Sequence, residues 1–285
     1  MADGNTLGII AGSGNLPLAV ARTAQSAGRK VFVLALEGMA NPDEVSPFPH
    51  GWASLGEVGK AIKLLKEAGC SELTMAGKVP RPEFSKLKLD TRGALALPRV
   101  IAAAMKGDDA LHRTIMLIFE KEGMRVIGPA EAARDLLAPE GALGVHQPGK
   151  DDDADIVHGI RVALALGALD VGQAAVVCQG FVLAVEAAEG TDAMLTRVPL
   201  LPEAVRGTPQ ARRGVLVKAA KPHQERRMDL PAIGVRTVEL IAESGLRGVA
   251  IEAGGALIVE RAAVVSAADR LGVFVYGFAP GDYQS

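Results

Sequence analysis

Cysteine is scarce in this chain: Cys70 and Cys178 are the only two among 285 residues, far apart and outside any CxxC spacing. That excludes a disulfide framework and thiolate metal sites, and it predicts two buried thiols in a reducing compartment. Aromatic residues make up only 4% and the formal net charge is −2. A dedicated nucleic-acid surface needs a basic face and stacking rings, so nucleic acid is not an expected partner. No window reaches the roughly 18–20 uninterrupted apolar residues of a membrane-spanning helix. Met1 to Thr6 also lack the basic flank and apolar run of a secretory signal. The expectation is a cytoplasmic protein that can touch a membrane surface.

Familiar catalytic signatures are missing as well. There is no GxSxG elbow and no P-loop lysine motif, which removes the common serine-hydrolase and NTP-hydrolysing readings. None of the five histidines stands in HExxH or another ligand spacing. His223 alone has a claim to ligand contact, because it lies inside a basic loop.

What the chain does have is apolar mass, 49% of its residues, enough for two domains with their own cores. Leu7 to Ala11 reads as a short strand, GSGNLP (Gly12 to Pro17) as a glycine turn, and the Ala-rich stretch to Gly28 as a helix. KVFVLAL (Lys30 to Leu36) completes a βαβ unit whose loop, Gly12, Ser13, Gly14 and Asn15, can approach a phosphate with its backbone. A dinucleotide fingerprint also needs a third glycine, and position 17 is Pro. Gly12 and Gly14 therefore serve either another phosphate ligand or a tight turn. The alternation continues through a helix at Glu57 to Ala68 and a strand at Glu72 to Ala76. GKVPRPEF follows that strand, where Lys78 and Arg81 are either phosphate contacts or exposed charges on a stiff connector.

Helices are predicted for Leu95 to Lys106 and Asp108 to Glu122, split by a GDD in which one aspartate caps the second helix or the pair ligates a metal. From Ala138 to Asp155 the composition changes to APEGALGVHQPGKDDDAD, which reads as an interdomain linker ending in acids that open a helix. The expected organisation is thus an N-terminal Rossmann-like, doubly wound α/β domain over 1–137, a linker over 138–153, and a C-terminal α/β domain over 154–285. Within the latter, EGTD (Glu189 to Asp192) is either a helix entry capped by Thr191 or Asp192, or an acidic turn able to hold a divalent ion.

Gly214 to Gly234, GVLVKAAKPHQERRMDLPAIG, stands out from the rest. A β-branched strand runs into Lys218, Lys221, Arg226 and Arg227, with Asp229 among them just before Pro231. Cations in that density at a strand end suit a phosphate or pyrophosphate. A carboxylate beside them can ligate a metal or handle a proton.

Four stretches together, IIAGSGNLP, GDDALHRTI, LDVGQAAVV with LAVEAAEGTDAML, and VLVKAAKPHQERRMDLPAIG, resemble the UDP-2,3-diacylglucosamine pyrophosphatases of bacterial lipid A biosynthesis. The type resembled is the two-domain one, unrelated to the calcineurin-like enzymes that perform the same step. The resemblance runs from about Leu7 to Phe278. It implies a Mg²⁺-dependent hydrolase yielding UMP and 2,3-diacylglucosamine 1-phosphate (lipid X), with a C-terminal domain of unusual α/β topology. It also implies a homodimer attached to the inner face of the membrane without a spanning helix. Carried onto this chain, it puts Asp229 at the catalytic position as metal ligand or water-orienting base, with Lys218 and Lys221 supplying charge. From the residues themselves, Gly12, Ser13, Gly14, Asn15, Lys78, Gln173, Thr191, Gln224 and Arg227 are the candidate substrate contacts, and Asp192 is a second candidate metal ligand. Glu225 departs from the family pattern, where Asp is common. The two acyl chains call for an apolar groove, for which the aliphatic residues of the C-terminal half are candidates.

Two other classes compete. A nicotinamide-dependent oxidoreductase would use the first βαβ unit, and a non-catalytic nucleotide-sugar or lipid carrier would use the same basic loop.

Overall fold

The computed structural model describes residues 6–80, 82–222, 230–279 and 281. The chain divides into two compact units, one ending at residue 135 and the other beginning at residue 136.

The first unit alternates β1 (Thr6–Ala11), α1 (Leu16–Ser26), β2 (Lys30–Leu36), α2 (Pro42–Val45), β3 (His50–Ala53), α3 (Val58–Glu67) and β4 (Cys70–Ala76). It continues with α4 (Thr91–Ala104), α5 (Asp108–Glu120), β5 (Arg125–Val126) and α6 (Pro129–Ala132). All five strands are parallel, in the order β3-β2-β1-β4-β5, which is the Rossmann-like arrangement. A parallel sheet is covered on both faces, and this is why β1 and β2 read as unbroken apolar runs rather than alternating ones. On one face Leu34, Leu73 and Val126 pack with Ile62 and Leu65 of α3 and with Met116 and Phe119 of α5.

The second unit contains β6 (Gly141–Leu143), α7 (Lys150–Ala168), β7 (Ala174–Cys178), β8 (Phe181–Val185), α8 (Gly190–Arg197) and β9 (Val215–Lys218). After these come β10 (Ala232–Ile233), α9 (Val235–Glu243), β11 (Gly248–Glu252), β12 (Leu257–Ile258), α10 (Arg261–Leu271) and β13 (Phe274–Phe278). Six strands form one mixed sheet, β6-β13-β11-β9-β7-β8, in which β9, β11 and β13 are parallel and the rest antiparallel. Side chains alternate across it with period two. Val215 and Val217 face Ile156, Ile160 and Ala163 of α7, whereas Leu216 faces Met194, Leu195, Val238 and Ile241. Gly159 lets α7 approach, since a Cβ there would stand 2.4 Å from Val217 Cγ2.

Several expectations change here. The stretch 138–153 is not a free linker: the Ala138 amide bonds the Ala256 carbonyl at 2.9 Å, and β6 pairs with β13 at the sheet edge. A three-residue strand, GAL, is too short to leave a periodic signal. The acids that follow do open a helix: Asp152 Oδ2 accepts the Gly149 amide at 2.8 Å at the head of α7. Neither GDD aspartate is the N-cap of α5. That position belongs to Gly107, and Asp109 pairs with Arg113 at 2.7 Å. The aliphatic residues of the C-terminal half go largely into the core between helices and sheet. Among the described residues no helix is long and apolar enough to cross a membrane.

Both cysteines are buried and free. Burial pushes the Cys70 thiol up to about 12. Cys178 is also raised, by burial first and then by the nearby Asp155 carboxylate. Since the thiolate is the nucleophile, iodoacetamide at pH 8 is expected to leave the native chain unmodified by intact mass and to add two adducts in urea. Native alkylation at the rate of an exposed thiol would refute the burial.

Candidate active site

Because β9 runs parallel to β11 and antiparallel to β7, the ends of β9 and β11 and the start of β7 share one edge of the second unit's sheet. In register, Lys218 pairs with Ala174 on one side and Ile251 on the other. The alternation that points Leu216 toward α8 carries Lys218 to the same face. There the side chain is only 4% exposed. A buried ammonium is costly unless its donors are satisfied. Lys218 Nζ donates to Thr191 Oγ1 at 2.8 Å and to the Ala232 carbonyl at 3.2 Å. Thr191 in turn donates to Glu186 Oε1 at 2.5 Å, and Glu186 Oε2 accepts the Gln173 amide at 3.2 Å. Cation, hydroxyl and carboxylate thus form one connected series.

This arrangement removes the capping reading of EGTD. Thr191 does not cap a helix; α8 begins at Gly190, its N-cap is Glu189, and no side chain caps it. The Thr191 hydroxyl serves Lys218 instead. Asp192 is exposed in the first turn of α8, away from this series. Among the described residues no group of three His, Cys, Asp or Glu side chains could hold a metal ion.

Further polar groups surround the same edge. Lys221 Nζ pairs with Asp170 Oδ1 at 2.7 Å, so its charge is partly spent within the protein. Glu252 closes β11, is buried, and accepts the Ala220 amide at 2.9 Å through Oε2, which holds the backbone just past Lys218. Gln173 Oε1 is buried without a hydrogen-bond partner among the described residues, an acceptor available to a ligand hydroxyl or N–H. Asp170 and Glu252 were not singled out in the sequence. Glu252 had a signal, as an acid ending an apolar strand; Asp170 had none, because its partner Lys221 lies 51 residues further along the chain. His223, Gln224, Glu225, Arg226, Arg227 and Asp229, like Arg81, lie outside the described residues.

The glycine loop of the first unit has a geometry of its own. At the carboxyl ends of β1 and β4 the Gly12 amide bonds the Ala76 carbonyl, and Ser13 and Lys78 exchange backbone hydrogen bonds, all at 2.9 Å. The Ser13 hydroxyl also donates to the Lys78 carbonyl at 3.0 Å. A Cβ at position 12 would lie 2.6 Å from that carbonyl oxygen. Gly12 is therefore required by the approach of two loops, and the first two amides of GSGN are committed within the protein. Gly14, at φ 88°, and Asn15 are exposed and line a cleft of ≈ 220 Å³ with Asn41 and Glu44. The Lys78 side chain is exposed. Glu37, which ends β2 where a dinucleotide site keeps its ribose-binding acid, is instead held by Ser54 and Lys60. Those contacts keep its carboxyl below the usual range, the Ser54 hydroxyl contributing most.

Replacing Thr191 with Val removes the hydroxyl between a buried cation and a buried acid. Thr191→Val is expected to lose about 1–3 kcal/mol of stability in urea denaturation, with Thr191→Ser recovering most of it. Equal stability of all three proteins would show that the hydroxyl is dispensable.

Comparison with known proteins accounts for both units. The LpxI N-terminal domain matches residues 6–136 and the LpxI C-terminal domain residues 139–276. A Caulobacter vibrioides protein named UDP-2,3-diacylglucosamine pyrophosphatase LpxI is 49% identical over 274 residues, covering 96% of this chain and 98% of that protein. Among solved structures, a CobK precorrin-6A reductase aligns over 99% of this chain and 90% of its own, with a TM-score of 0.32 and 15% identity. A Thermus thermophilus UDP-glucose 4-epimerase aligns over 97% of this chain and 88% of its own, with a TM-score of 0.29 and 11% identity. Likeness at those two levels says nothing about activity. With each unit matched by one of the two domains and nearly the whole length by one relative, the chain belongs to the LpxI family.

Proposed function

We propose that this chain hydrolyses the pyrophosphate of UDP-2,3-diacylglucosamine. The observation that carries the reading is the near-full-length identity to a relative bearing that activity's name. The buried Lys218 at the head of the basic stretch suits the same chemistry. Attack of water on one phosphorus breaks the bridging P–O bond, and the products are UMP and 2,3-diacylglucosamine 1-phosphate. Negative charge grows on the phosphoryl oxygens as this happens, and fixed cations in a dry site stabilise it most.

Lys218 is preorganised for that task. Thr191 and the Ala232 carbonyl both accept from its ammonium group, which fixes the positive charge at the strand end before any substrate arrives. Glu186 orients Thr191, and Lys221 adds positive charge near the strand end. Gln173 Oε1 accepts from a substrate hydroxyl or N–H. Asp229 orients the attacking water or ligates a metal. A bound Mg²⁺ would neutralise and polarise the phosphoryl oxygens. Mg²⁺ is commonly held by one or two carboxylates together with a substrate's own phosphates. Asp229 is the residue proposed to supply one of them.

The substrate's acyl chains bring the enzyme to a membrane surface. Leu95 on α4, Met105 just past its end and Leu117 on α5 are 78%, 81% and 52% exposed, apolar side chains that can rest on lipid. The apolar edge strand β8, with Phe181 and Val182 exposed, is a surface suited to a homodimer.

UMP release from UDP-2,3-diacylglucosamine tests the reading. Activity is expected to vanish with chelator and return with Mg²⁺, and a chain that binds the substrate without releasing UMP is a carrier. Asp229→Ala should abolish turnover while retaining substrate binding; near-normal turnover with Mg²⁺ present removes Asp229 from catalysis. Lys218→Met should lower kcat by roughly 10²–10³, the scale of losing one preorganised charge donor.

A further inference from the structure

The opposite edge of the second unit's sheet holds a polar pocket that the proposed reaction does not use. It opens beside the residues that precede β9, β11 and β13, and Arg212, Arg247, His146, Gln147 and Gln210 line it over the buried ring of Phe274. Its volume is ≈ 250 Å³, room for a tetrahedral oxyanion and its hydration. The five residues of β11 separate this edge from the Lys218 edge by roughly 16 Å at strand spacing, so the two places are distinct.

The charge is arranged for an anion. Arg212 Nη1 donates to the Gly272 carbonyl at 3.2 Å, and its Nε is buried with no hydrogen-bond partner among the described residues. A buried donor left unmade carries its full desolvation cost, and a bound acceptor relieves it. Arg247 Nε donates to Asp152 Oδ2 at 3.0 Å while its side chain remains 47% exposed. His146 Nε2 lies 3.2 Å from the Asp269 carbonyl. The neighbouring acids are engaged by the protein: Asp152 Oδ2, besides pairing with Arg247, accepts the Gly149 amide, and Asp269 Oδ1 accepts the Val145 amide, each at 2.8 Å. The pocket lining itself contains two guanidinium groups and no carboxylate.

We propose that this pocket is a second anion site, which takes a phosphate-type oxyanion between Arg212 and Arg247. The planar guanidinium fork matches two phosphate oxygens at once, and two such forks match an oxyanion better than ammonium groups can. The amide groups of Gln147 and Gln210 supply neutral donors at the mouth.

Titration calorimetry of inorganic phosphate into the full chain tests this at constant ionic strength. Lys218→Met removes the phosphate binding drawn to the opposite edge, and an isotherm of phosphate binding is expected to persist in that variant. Arg212→Gln is expected to weaken it about tenfold, the scale of losing a charge-assisted contact. Gln210→Glu places a carboxylate at an exposed position of the pocket mouth and decides the matter if Arg212→Gln fails to fold; it too should weaken binding about tenfold. Phosphate affinity equal to the parent's in folded Arg212→Gln or in Gln210→Glu, or lost in Lys218→Met, overturns the assignment. UMP release by Gln210→Glu is expected at the parent rate, so failure of the anion site and failure of the pyrophosphatase reading are told apart.

Discussion

A lysine ammonium removed from water must be given partners, and at the end of β9 that requirement organises the edge of the second sheet. Lys218 is positioned by a strand whose three preceding residues are wholly buried, so it cannot turn to solvent. Its partners come from separate parts of the chain: Thr191 opens α8, Ala232 belongs to β10, and Glu186 follows β8. Thr191 joins the two charges, because its oxygen accepts from the ammonium while its proton goes to the acid. Such a series is stiff, and stiffness is what a charge aimed at a developing phosphoryl anion needs.

Glycine has two uses near phosphates, and the first unit separates them. Gly12 allows the β1 and β4 loops to exchange backbone hydrogen bonds at a distance where a side chain would meet a carbonyl. Gly14 has open space around it and a left-handed backbone, and it borders the cleft with Asn15. A sequence reader sees the same GSG either way. Whether the amides face a ligand or a neighbouring loop depends on what the β4 loop, more than 60 residues later, brings to them.

Much of the architecture was legible because burial leaves periodic marks. The apolar runs of β1, β2 and β9, each wholly or largely covered, could belong only to interior strands, and alternation with helical stretches implied an α/β fold. The helix caps were less legible. At GDD and at EGTD the residue types suited to capping were present, but Gly107 and Glu189 took the positions, since the side chains found stronger partners in Arg113 and Lys218. Residues 138–153 looked like a linker because an edge strand of three residues is stabilised by its neighbour β13, not by its own pattern. Of the candidate site, Lys218 was visible from the density of charge after a strand. Glu252 carried only the mark of an acid ending an apolar strand and Asp170 none, since their contacts with Ala220 and Lys221 join residues far apart in the chain.

The strand that delivers cations to a sheet edge, β9, was determined by the order of residue types alone: β-branched residues demand burial, and charges at the strand's end must emerge where the sheet stops. Family membership was likewise carried by residue order. What only the tertiary structure decided is which of those charges is free to act. Burial and pairing are properties of neighbours in space. They set Lys218 on a threonine hydroxyl, engaged Lys221 with Asp170, sent Asp192 to solvent, and left Arg212 Nε buried with an unmade bond at the opposite edge.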